Sequence, residues 1–120
     1  MSAQKVLLVL AALMGAAGVA LSAAAAHSDS NLNAAATMLL FHAPVVIVTV
    51  VAARAGVLRL AIGLGAAIII ILGAVLFSSD ISTRAFASRP LFPMAAPMGG
   101  MFLIAGWLVL AVAAIAARKQ

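Results

Sequence analysis

Whatever chemistry this chain performs must come from very few side chains. Its 120 residues hold two histidines, two acidic residues, seven basic ones and no cysteine, so thiol nucleophiles, thiolate metal sites and disulfides are all excluded. His42 is the least expected of the candidates, because it interrupts the apolar stretch "MLLFHAPVV". An imidazole in such surroundings has three uses. It can pack, with its ring N–H bonded to a carbonyl or hydroxyl on a neighbouring element; it can hold haem, metal or quinone; or it can relay protons. His27 follows the small-residue run "SAAAA" and precedes Ser28, Asp29 and Ser30, which reads as a solvated histidine at the head of a polar turn. A bis-histidine haem needs two ligands at similar depth, and His27 and His42 do not offer that. His27, Asp29, His42 and Asp80 are acceptable metal-ligand types, but their local spacing matches no metal motif. No cofactor and no metal site is therefore expected.

Asp80 and Arg84 stand four apart in "SSDISTRAF". A helix through that stretch would put them on one face as an ion pair. Arg84 and Arg89 are equally suited to lipid phosphate, which a guanidinium grips with two parallel hydrogen bonds. The chain lacks a Ser-His-Asp spacing, a metalloprotease histidine pair and a phosphate-binding loop, so it is not expected to be an enzyme.

The elements that must position these residues follow from composition. Hydrophobic residues make up 68% of the chain and charged residues 8%, against about 45–50% and 25% in soluble domains. Runs of about 20 apolar residues mark spanning helices over 6–26, 34–53, 57–77 and 99–117 within one membrane domain, with an outer loop over 78–98. The third run holds consecutive β-branched residues at Ile68 to Ile71. Helix is still predicted there, because an open strand in lipid would leave its backbone groups unpaired. Lys5 and the small residues before His27 also fit a secretory signal peptide, but the first run is long enough to span and is read as a retained helix.

The net charge of +5 reports topology rather than nucleic-acid binding, since the basic residues are scattered at the ends of the apolar runs. With a cytoplasmic N-terminus, Lys5, Arg54, Arg59, Arg118 and Lys119 lie inside, against Arg84 and Arg89 outside. Both termini are therefore predicted to be cytoplasmic, and His27, Asp29, Asp80, Arg84 and Arg89 to share the outer face. Small residues at Ala16, Gly18, Ala20, Ser22 and Ala24 let helices approach closely, as packing in lipid requires.

The stretch "PLFPMAAPMGG" before the last run is too broken for a spanning helix and too apolar for a fully wet loop. It is predicted to lie against the outer face of the bundle, with Pro97 just ahead of the helix that Gly99 and Gly100 begin. The glycines are expected to permit close backbone contact with another helix, and the N–H groups of that helix start to suit an anion or lipid phosphate. Trp107, seven residues past Gly100, is predicted to sit within the membrane and to seek a partner for its indole N–H inside the bundle. Met94, Met98 and Met101 read as fillers of irregular apolar space.

The order of these features resembles a known family. "SAAAAHS" closes the first span, "MLLFHAPVV" lies in the second, "AVLFSSD" ends the third and "APMGGMFLIAGWLVL" opens the fourth. Together they are similar to domain-of-unknown-function family 423, the YgdD-like small inner-membrane proteins. Pro97-Met98-Gly99-Gly100, Gly106-Trp107 and Phe77-Ser78 are the most specific pieces. The chain departs from the family's glycine-rich sequence before the first histidine, where it has Ala23 to Ala26. The resemblance implies a four-helix fold in the bacterial inner membrane and lends no activity. The expectation is a non-catalytic accessory or structural subunit packing against a larger membrane complex or specific lipid, with a protein partner in the membrane or a second copy. The alternatives are an oligomeric transporter or channel using His42, and a histidine-ligated haem, metal or quinone site.

Overall fold

Helix α1 runs Ala3–Ala25, α2 Leu32–Arg54, α3 Leu60–Ala87 and α4 Ala95–Ile115. This structure is a computed structural model that describes residues 1–28 and 31–118. Asp29, named above as a metal-ligand type, and Lys119, counted among the cytoplasmic charges, lie outside the described residues. All four helices are long and apolar enough to cross a membrane. The molecule is 50 Å long and 25 by 23 Å across, which exceeds a hydrocarbon core of about 30 Å. The chain is thus an all-α four-helix bundle and a multi-pass membrane protein.

Each helix has local reasons for its ends. Ser2 caps α1, its hydroxyl accepting the N–H of Lys5 at 3.3 Å, which satisfies one of the unpaired donors of the first turn. Gly56, at φ 83°, supplies the left-handed step in the short α2–α3 connection. In that connection the N–H of Arg59 donates to Ala113 O at 2.9 Å, so the C-terminal end of α4 is pinned beside the start of α3. Helix α2 continues through Pro44, which costs it one backbone donor.

Two boundaries differ from the sequence expectation by more than three residues. "SSD" closes the apolar part of the third run but not the helix, which continues to Ala87 and stops where Ser88 turns left-handed at φ 57°. Its polar residues are tolerated in the continuing helix because Ser78 and Asp80 have partners. Helix α4 starts at Ala95, four residues ahead of Gly99, so Pro97 lies inside its first turn rather than just ahead of the helix. Proline fits there, since a first-turn N–H has no intrahelical acceptor. The irregular outer segment therefore shrinks from 78–98 to 88–94.

In packing, α1 lies on α2, α2 on α3 and α3 on α4, while α1 barely meets α3. The buried set is rich in alanine, including Ala11, Ala35, Ala36, Ala43, Ala66, Ala67 and Ala74. Short side chains bring the helices close, and dispersion between them replaces the hydrophobic drive that lipid does not provide. The closest approach is between α3 and α4. A Cβ on Gly99 would sit 2.6 Å from Phe77 N, and one on Gly73 would sit 2.8 Å from Gly99 O. Backbone meets backbone at that crossing. Gly100, by contrast, faces open space, so only the first of the two predicted contact glycines makes a contact.

Candidate functional site

The polar residues gather in two places. The first lies where α2 faces α4, around a buried His42. His42 is ten residues past Leu32, or about 15 Å from the start of α2 at 1.5 Å per residue, and its side chain is 5% exposed. The indole Nε1–H of Trp107 donates to His42 Nε2 at 3.2 Å. Indole nitrogen can only donate, so Nε2 must accept and the ring proton must be on Nδ1. Nδ1–H then donates to Met38 O at 2.8 Å, one turn back on the same helix. The sequence expectation placed the ring N–H of His42 on a neighbouring helix; its own helix supplies the acceptor, and the neighbour supplies a donor instead. Phe41 lies beside both rings, its centroid 5.3 Å from that of His42 and 6.3 Å from that of Trp107. Both imidazole nitrogens are engaged. To act as a ligand or relay, His42 would first have to give up Trp107 or Met38.

The second place is the end of the bundle where α3 leaves its apolar run and α4 begins. Asp80 is completely buried. One carboxylate oxygen accepts Arg84 Nε at 3.0 Å, the predicted pair four residues apart, and the other accepts the N–H of Leu91 at 2.8 Å. The backbone N–H of Ala96, in the first turn of α4, also faces this carboxylate. Met94, which precedes α4, gives it no side-chain cap, so Asp80 occupies the position where a helix start favours an anion. The N–H groups expected to suit a lipid phosphate therefore already face an anion of the chain itself. Arg84 keeps about half of its side chain exposed, and Arg89 is exposed in the segment after α3.

Between these places, Ser78 Oγ donates to Ala35 O at 3.1 Å, tying α3 to α2. Sequence reasoning did not single out that serine except as part of a family motif. Nor did it foresee Asp80 at the start of α4. The signal for the latter was present: no Ser, Thr, Asp or Asn precedes Ala95, and a helix start without its own acceptor requires one from elsewhere. His27 is exposed in the turn after α1, with its backbone N–H on Ala24 O. It belongs to neither cluster. Among the described residues no three His, Asp or Glu side chains come together as a metal site would need. Gly99 serves the α3–α4 crossing and Pro97 the first turn of α4, while Trp107 is the partner of His42.

The family whose model matches this chain is "Protein of unknown function (DUF423)", over residues 12–100. The matched region contains Phe77-Ser78 and Pro97 to Gly100, and it stops before Gly106-Trp107. No curated protein and no solved structure matches the chain.

Proposed function

The chain belongs to the DUF423 family of proteins of unknown function, and on that premise we propose that it is a non-catalytic accessory subunit that packs against a larger complex in the bacterial inner membrane. One observation carries the reading. The side chains best suited to chemistry within the bundle, His42 and Asp80, have all their strong hydrogen-bonding atoms engaged within the chain. Those bonds hold helices and the outer segment together, which leaves apolar faces as the means of meeting anything else. Helix α4 offers the most continuous one: Met101, Ile104, Leu108, Val112 and Ile115 recur at helical spacing and are all strongly exposed.

The transporter alternative needs His42 on an aqueous path, and a buried imidazole held from both nitrogens is a poor candidate for that. A flux assay in proteoliposomes comparing wild type with His42→Ala is expected to give the same background rate for both. For the complex itself, extraction into native nanodiscs is expected to recover the chain in a particle of defined composition larger than one copy in its own lipid. A lone monomer, free of any protein partner, would remove the ground for the proposal.

A further inference from the structure

We infer that the trough between α1 and α3 is a binding site for one acyl chain of a glycerophospholipid, drawn from the leaflet at the His27 end of the bundle. The trough exists because α1 and α3 both lean on α2 without closing on each other. It holds about 460 Å³, with Leu13 and Ala17 on one wall, Val75 and Ser79 on the other, and Leu39 of α2 among its lining. The α1 wall runs from Leu10 to Leu21 and the α3 wall from Ile71 to Ser82. Each is about 16 Å long at 1.5 Å per residue. That equals one leaflet's share of a hydrocarbon core about 30 Å thick.

Polarity along the trough sets the direction of the occupant. Its lining is apolar except at one end, where Ser78, Ser79 and Ser82 appear. Ser78 uses its hydroxyl on Ala35 O, while the hydroxyls of Ser79 and Ser82 have no partner among the described residues. These serines flank Asp80, at the end where His27 and the 88–94 segment lie. Both serines are partly buried and line the trough, and the ester and phosphate oxygens of a phospholipid are acceptors carried at the top of an acyl chain of the right length. An apolar partner helix would fill the lower trough but bring no side-chain acceptors to the serines. The site is independent of the proposed complex, since it lies on the α1–α3 side and not on the outer face of α4.

The test uses the purified full chain in nanodiscs of phosphatidylethanolamine and phosphatidylglycerol, with a trace of phosphatidylethanolamine bearing a diazirine on one acyl chain. After irradiation, adducts are mapped by mass spectrometry. Leu13 is 60% exposed, against 63% for Ile104 and 64% for Leu108 on α4, so passing lipid would label the three alike. A resident chain labels Leu13, Ala17 and Val75 several-fold more than Ile104 and Leu108. Ala17→Phe, at an exposed position that tolerates a larger side chain, is expected to abolish the excess. The Ser79→Ala/Ser82→Ala double variant is expected to reduce it with helix content unchanged. Uniform labelling in the wild type, an excess that survives Ala17→Phe, or a trough protected by a cross-linked second copy would each overturn the inference. Because no partner protein is present, none of these results depends on the complex.

Discussion

His42 and Trp107 illustrate how a residue that looks reactive becomes structural. Inside lipid, the indole N–H has no water to bond, and the imidazole lone pair on Nε2 is the acceptor it finds. Interhelical hydrogen bonds of this kind in membranes contribute about 0.6 kcal/mol on average and up to about 1.7. His42→Leu removes the acceptor and is expected to lower stability in detergent by about that amount, with a shift in the emission of Trp107, the only tryptophan. His42→Gln can still accept from the indole and is expected to retain most of the stability. Thermal unfolding followed by Trp emission separates the two; equal losses would contradict a hydrogen-bonding role. Asp80 is a parallel case. Hydrogen bonds to charged groups are worth about 1.5–3 kcal/mol, so Asp80→Ala is expected to speed hydrogen exchange at the Leu91 amide and proteolysis within 88–94. The exposed half of Arg84 makes its ion pair the weaker part of that arrangement. Unchanged exchange at Leu91 would show that the carboxylate does not hold the segment. The sequence alone sent the indole N–H of Trp107 toward a partner inside the bundle and paired Asp80 with Arg84, because helical spacing and the cost of an unbonded indole both act locally, although Trp107 itself stays 40% exposed. It could not pair Trp107 with His42, 65 residues apart, since nothing local sets the register of α4 against α2.

At the scale of the helices, the α3–α4 crossing decides the architecture of the second half. Gly73 and Gly99 allow the two backbones to meet, and adding a methyl to such a contact costs about 1–3 kcal/mol through forced displacement. Gly73→Ala and Gly99→Ala are therefore expected to destabilise the fold, and Gly100→Ala and Gly65→Ala, both facing open space, to be neutral or slightly stabilising. The comparison is sharp because Gly99 and Gly100 are adjacent. If both alanine variants at 99 and 100 behaved alike in detergent unfolding, the close crossing would be wrong. The four helices were legible from hydropathy, since about 20 apolar residues in a row leave few other options. Their ends were less so. Helix α3 outlasts its apolar run because Ser78 and Asp80 find partners on α2 and in the outer segment, contacts that no window of local sequence contains. Pro97 marks a helix start correctly in kind but misplaces it, since proline is accepted at several positions of a first turn.

For the whole molecule, the antiparallel order gathers Lys5, Arg54, Arg59 and Arg118 at one end and Asp80, Arg84 and Arg89 at the other. If the more basic end faces the cytoplasm, as the bias of basic residues toward that side predicts, Ser2→Cys is expected to be shielded from an impermeant thiol reagent in intact cells and Ser88→Cys to be labelled. With no native cysteine the readout has no background, and the reverse pattern would invert the molecule. The proposed role rests on where its polar atoms have gone: its buried polar side chains are bonded within the chain, and large apolar side chains are exposed along its helices. The account thus stands on contact between the exposed face of α4 and another membrane protein. A photocrosslinking amino acid placed at Leu108, and in a second variant at Met101, tests it directly in native membranes. Discrete protein adducts of one mass, shared by the two positions and missing from a control position at Val19 on α1, are the predicted result; adducts to lipid alone at both α4 positions would contradict it.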